Sequence, residues 1–294
     1  MEPRYYPQVW TQFYSTPWAI LPSKLDEIEI AMRSIVADRS FGSAPKASFG
    51  QPEEPKMMEQ SDIAIIPIRG TITPRPSAFS SGGTTAERVR QNIDKAAADS
   101  SIKSIVLDID SPGGSVFGIQ ETAWAIRAAR FRKPVHAVAN YVAASGAYWW
   151  GSQATTFSVA PSGTVGSVGV IYKRPDFTAN MEKEGVKINT VTAGKYKDEG
   201  LPYKPMSAEE EADLKAQADT YYRKFVADIA VGRGLSAAVV EESFGQGRMV
   251  LAEEAVSRRM VDRVATMEQV LDELRASGAR SRRAAASRIL SDVA

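Results

Sequence analysis

The chain has 294 residues, 44% of them hydrophobic and 24% charged, enough for one large or two small globular domains; with no cysteine, disulfides, thiol catalysis and Cys-ligated metal are excluded. Its 36 basic and 35 acidic residues leave a net charge of +1, so no field gathers nucleic acid or an anionic membrane, and neither is expected as a partner. No stretch approaches the roughly 18 apolar residues of a membrane span, and Met1 to Pro7 lacks the apolar run of a signal peptide, so neither insertion nor export by that route is expected.

Residues 1–39 read as an N-terminal extension carrying Tyr5, Tyr6, Trp10, Phe13, Tyr14 and Trp18. A helix is expected from Pro22, with Leu25, Ile28, Met32 and Ile35 on one face. So short a piece cannot bury that many aromatics by itself, which leaves packing on its own main domain or docking onto another subunit. Residues 40–61 are rich in Ser, Pro, Gly and Glu and read as a linker.

From Asp62 apolar strands alternate with helices: Ile63 to Ile68, a helix capped near Thr84 or Thr85, Ile105 to Ile109, and a helix through Trp124 and Ile126. That order predicts a parallel α/β domain over 62–266. Pro134 to Ala139 forms a strand leading to Ser145 and the helical start Tyr148-Trp149-Trp150, and Thr155 to Val159 precedes the glycine-rich Gly163 to Gly169. The apolar run Val186 to Val191 delivers the chain to Lys197. Ser207-Ala208-Glu209-Glu210 is a capping box for a long helix that ends near Val231, before Gly232 and Gly234, and a shorter unit follows from Leu235 to Val264. Residues 267–294 read as a helix passing into a mobile tail rich in Ala, Ser and Arg.

The chemistry concentrates in three places. Asp110-Ser111-Pro112-Gly113-Gly114 follows a strand, and its adjacent glycines leave backbone N–H groups uncovered, as an oxyanion hole needs; the same residues also make an ordinary tight turn. Ser145, in Ala143-Ala144-Ser145-Gly146-Ala147-Tyr148, sits among small residues that allow a substrate backbone to approach, although Ala143 and Ala147 stand where a G-x-S-x-G elbow has glycine. A serine nucleophile needs a base, and the sole histidine, His136, lies on the neighbouring strand, too near in sequence to reach Ser145 easily. The base is therefore read as a lysine, Lys197 with Lys195 as the other possibility, in a Ser-Lys variant of the triad. Lowering a lysine pKa from about 10.4 to about 7.5 takes roughly 4 kcal/mol of bias against the ammonium, which burial must provide. Asp108 and Asp110 read as turn hydrogen-bonding residues, and no spacing of His, Asp and Glu suggests a metal, so neither metal nor cofactor is expected.

Taken in order, Asp110 to Gly114, Ala143 to Tyr148, Gly163 to Gly169 and Gly194 to Asp198 resemble the signal peptide peptidase A family of serine peptidases, over about 62–264. The resemblance implies a Clp-protease/crotonase-like fold of stacked βα units, here with an N-terminal helical extension, assembled as a homo-oligomer. It also implies Ser145 as nucleophile, Lys197 as base, Ser167 as the hydroxyl orienting that lysine, and the amides of Gly114, Gly113 and Gly146 as the oxyanion hole.

Lys197-Asp198-Glu199-Gly200-Leu201-Pro202-Tyr203, and Pro17-Trp18 before the helix and linker, are similar to the tailed-phage head-maturation branch of that family. This implies a prohead protease that cleaves scaffold, portal or capsid proteins within the assembling head, in the host cytoplasm; the small side chains of Ala284-Ala285-Ala286 add the expectation that it trims its own tail between Ala276 and Ser287. The alternatives are a soluble bacterial peptidase of the signal peptide peptidase type, a catalytically idle assembly scaffold, and an acyl-CoA hydratase on the same superfold.

Overall fold

The computed structural model describes residues 12–37, 55–76 and 83–293, the side chains of 34–37 and 281–293 excepted. Tyr5, Tyr6 and Trp10, most of the expected linker, the Ile35 side chain and the side chains of the Ala284 to Ala286 run lie outside that description.

Largely continuous apolar runs, buried on both faces, build a parallel core of three strands, β3 (Ile63–Arg69), β6 (Ser104–Ser111) and β8 (Val135–Ala144), with β6 in the middle. Period two sends Ala64, Ile66 and Ile68 to one face and Ile63 and Ile65 to the other. The first face is covered by α2 (Ala86–Ala98) and α3 (Ile119–Ala129). The second is covered by the start of α9 (Met267–Val293), through Val270 and Leu271. The N-cap of α2 is Thr85, whose hydroxyl accepts from the Arg88 amide at 3.4 Å. The stacked βα order expected from the sequence is the order observed.

Three segments depart from expectation. Residues 58–60, assigned to the linker, form β2 (Met58–Gln60), antiparallel to the edge of β3; all three are exposed, so no apolar pattern announces the strand. The apolar run Val186 to Val191 is left uncovered, with Val191 98% exposed. The tail expected to be mobile continues α9 as helix to Val293; alanine and arginine are strong helix formers, so one composition serves both readings.

Strand β8 outlasts its neighbours. Its first half pairs with β9 (Thr156–Val159) and its last three residues with β10 (Thr164–Gly166), which continues to the antiparallel β11 (Met249–Leu251). Between the pairs Ile109 with Ala139 and Ser111 with Ala143, one residue of β6 faces three of β8. This bulge turns the end of β8 away from the main sheet. A second, smaller sheet lies there in the order β1 (Trp18–Ile20), β7 (Gly113–Ser115), β4 (Ile72–Thr73), β5 (Thr84–Thr85).

The helix α1 (Pro22–Ala37) follows β1 and packs Leu25 and Met32 with Phe13, Trp18 and Ile20 in a separate apolar cluster. The long helix α6 (Ala208–Arg233) starts at the predicted box, where the Ser207 hydroxyl accepts from the Glu210 amide at 3.1 Å, and stops at Gly234 in the left-handed region, φ 64°. Among the described residues no helix is long and apolar enough to cross a membrane.

Candidate active site

Of the motifs singled out in the sequence, Asp110 to Gly114, Ala143 to Tyr148 and Gly163 to Gly169 meet at the carboxyl ends of β6, β8 and β10, where ligands of parallel α/β sheets gather. The register aligns them: Ala144 pairs with Gly166, so Ser145 and Ser167 are the first residues beyond the ends of adjacent parallel strands. Ser111 pairs with Ala143 and carries Pro112-Gly113-Gly114 to the same place.

Ser145 has φ 53° and ψ −117°, and its side chain is buried. A left-handed serine stores strain that persists only where its surroundings impose it. Here the Ser145 amide donates to Gly166 O at 2.7 Å, while its carbonyl accepts from the Trp149 amide at 2.9 Å. Helix α4 (Gly146–Gly151) begins immediately after, and Trp149 and Trp150 bury themselves as its wall. The Ser145 hydroxyl points along the chain toward Gly169 O, 3.5 Å away. Ser167 shares the positive φ, at 54°, and its amide donates to Arg248 O at 2.9 Å. Two left-handed serines side by side are the strongest local sign of a working site, and the sequence carries no signal for either conformation.

The glycines surround the same point. Gly113 has φ 92°, and a side chain there would collide with the Ala19 carbonyl oxygen and come within 2.9 Å of Ala144 O and 3.0 Å of the Gly146 amide nitrogen. The Gly113 amide donates to Ser111 Oγ at 3.2 Å, which leaves the amides of Gly114 and Gly146 as the better oxyanion donors. Beside them opens a cleft of about 500 Å³ lined by Ile20, Ser167, Gly169, Ile171, Tyr222 and Glu241.

Lys197 is not in this cleft. It lies exposed in the loop before α6, and its side chain has no hydrogen-bond or ion-pair partner among the described residues. The desolvation expected of a general base is therefore missing in the single chain. Lys195 is a poorer base, because its ammonium bonds the Tyr196 hydroxyl at 2.8 Å and Glu209 at 2.9 Å, and these bonds raise its pKa. The loop is fastened to α6 at Lys195 and Tyr196, which both bond Glu209, and at Gly200, whose amide donates to Glu210 at 2.9 Å.

His136 lies half-buried on β8 with Nδ1 2.7 Å from the Thr156 hydroxyl; burial, then the charge of Arg263, lowers its pKa. Asp108 is tied to Arg69 and Asn140 and is structural. Among the described residues no group of His, Asp and Glu could hold a metal.

Comparison with known proteins assigns the family of the chain. Residues 127–280 match the model of Peptidase family S49. The chain belongs to that family, and so carries a serine-peptidase domain. It is 29% identical over 215 residues to the capsid assembly protease C of Escherichia phage lambda, covering 72% of this chain and 48% of that one. It is 28% identical over 218 residues to a putative signal peptide peptidase SppA of Enterococcus faecium, covering 72% of this chain and 62% of that protein. The chain thus spans roughly half to three-fifths of these relatives. A solved mutant of the membrane-bound stomatin-specific protease 1510-N, in complex with a substrate peptide, aligns over 73% of this chain and 80% of its own with a TM-score of 0.46 and 18% identity.

Proposed function

We propose that the chain is a serine endopeptidase in which Ser145 attacks the scissile carbonyl, Lys197 takes its proton and Ser167 orients the lysine. The amides of Gly114 and Gly146, with Gly113 at their centre, hold the oxyanion. One observation carries this reading: a buried, left-handed Ser145 stands between a second left-handed serine and the glycine turn, at the ends of three parallel strands.

The lysine reaches the serine in an assembly. Val186, Ile188 and Val191 project from its loop at 48%, 44% and 98% exposure, an apolar strip that a neighbouring copy would cover. Covering it would supply the low-dielectric surroundings that Lys197 lacks alone. The substrates are proteins, and the similarity to the phage lambda capsid assembly protease supports scaffold and other head proteins as the class. The equal coverage by the Enterococcus faecium relative favours a second reading, a cellular peptidase acting on signal peptides.

The test uses purified chain with an internally quenched peptide, and separately with a phage scaffold protein and with a synthetic signal peptide. Ser145→Ala and Lys197→Ala should each abolish cleavage in the folded protein, since nucleophile and base act as one unit. Retained turnover in either variant sinks the dyad. Cleavage of the signal peptide but not the scaffold sinks the head-maturation role alone.

A further inference from the structure

The segment Pro17 to Leu21 lies where an extended peptide would have to lie to meet Ser145. On one side β1 runs antiparallel to β7, with Ala19 opposite Gly114 and Ile20 opposite Gly113. The ladder is bounded by Val116 N–H to Pro17 O and by Leu21 N–H to Pro112 O, both 2.9 Å. Antiparallel ladders alternate bonded and unbonded pairs, so Ala19 and Gly114 form the bonded pair between those two, and the Gly114 amide is committed to the Ala19 carbonyl. On the other side Trp18 exchanges both backbone bonds with Ile171, at 2.9 and 2.8 Å. The strand therefore bridges the two edges that flank the site.

Its centre coincides with the oxyanion position. A side chain on Gly113 would strike the Ala19 carbonyl oxygen, and one on Gly146 would come within 3.3 Å of it. Ala19 O is thus enclosed by the three glycines assigned to the oxyanion hole.

We propose that Trp18 to Leu21 is an intramolecular blocking strand: it occupies the peptide groove, with the Ala19 carbonyl in place of a substrate's scissile carbonyl. The proposal rests on the active-site reading above. With Lys197 in solvent, no base serves Ser145 in this arrangement, and the strand stays uncut. The strand is clamped from behind, because Trp18 is buried against Phe13, Leu25 and Met32, and its indole N–H donates to Phe13 O at 3.0 Å. Helix α1 is in turn held by Lys173, which bonds Asp26 at 2.5 Å and Glu29 at 2.7 Å. A tethered strand competes at the high effective concentration of an intramolecular ligand, so substrate gains the groove only when the extension is drawn off.

Two full-length variants test this with the same quenched peptide. Ala19→Pro removes the amide donor of the bonded pair and should raise cleavage about 10²-fold over wild type, and a synthetic peptide of residues 13–24 should bring it back down. Trp18 and Ser115 form an unbonded pair, whose Cα spacing of about 4.5 Å suits a disulfide. The chain has no other cysteine, so Trp18→Cys/Ser115→Cys should be silent when oxidised and active when reduced. Equal rates for Ala19→Pro and wild type, equal rates for the oxidised and reduced pair, or no turnover from the folded released forms would overturn the blocking strand. Adding Ser145→Ala to Ala19→Pro separates the two readings: cleavage that survives it refutes the active site, while loss of cleavage keeps the site and leaves the strand to be judged on the other arms.

Discussion

Replacing Asp228 with alanine should loosen the wall directly behind Ser145. From α6 its carboxylate accepts from Trp149 Nε1 at 3.1 Å and from Trp124 Nε1, Gln120 and Arg127, each at 3.2 Å. Trp149 belongs to the short helix that starts after Ser145 and stacks on Phe225 with centroids 4.3 Å apart, so one carboxylate ties that helix to α3 and α6. The Trp149 side chain is 1% exposed, and its N–H has no route to water once the acceptor is gone. An orphaned buried donor costs about 1–3 kcal/mol. The Arg127 side chain is 21% exposed and recovers part of its hydration, so its loss is discounted to about 1 kcal/mol. Trp124, half exposed, adds little. The expected loss is about 3 kcal/mol, or roughly 6 °C in melting temperature for a chain of this size. Asp228→Asn keeps an acceptor of the same shape and should lose about 1 kcal/mol. Urea unfolding followed by tryptophan fluorescence measures both. Alanine within about 0.5 kcal/mol of wild type, or asparagine costing as much as alanine, would refute the account of the hub.

Ser167→Ala should keep the fold and slow peptide cleavage by about 10²-fold without abolishing it, whereas His136→Asn should leave turnover near wild type; the reverse pattern in steady-state assays would reassign the base to histidine. Gly113→Ala forces a side chain onto φ 92° and into the Ala19 carbonyl, and differential scanning calorimetry should show destabilisation of more than about 1 kcal/mol. Val191→Asp places a charge where the single chain is solvated, so its thermal unfolding as a monomer should not change; sedimentation should show a smaller assembly and the assay a matching loss of activity. Burial works to raise the Asp262 pKa but is outweighed by the Arg233 bond at 2.6 Å and the Phe157 amide at 2.6 Å, so the folded value is lowered. Its stabilisation is therefore full above the unfolded carboxyl pKa, near 4, and is lost as pH falls through the folded value; Asp262→Asn should flatten the stability curve in that acid window and nowhere else.

The sequence by itself determined the elements whose cause is local. Apolar runs placed β3, β6 and β9; the caps at Thr85 and Ser207 placed the starts of α2 and α6, and the glycines after Val231 placed the end of α6 to within two residues. The same locality made Gly113-Gly114 and Ser145 visible as chemistry, since a glycine pair after a strand and a serine among alanines are properties of a few adjacent residues. Tertiary structure alone decided that these pieces share one point, because the register of β6 on β8 and of β8 on β10 sets which strand ends coincide. It decided the positive-φ backbone of Ser145 and Ser167, whose amides are held by donating to the carbonyls of Gly166 and Arg248. It placed Lys197 in solvent, since a lysine's burial depends on what is packed over its loop. It also turned Trp18 to Ile20 into a strand. Three residues have no periodicity to read, and what makes them β is the pair of edges, at Gly113 to Ser115 and at Ile171, that the rest of the chain brings to either side.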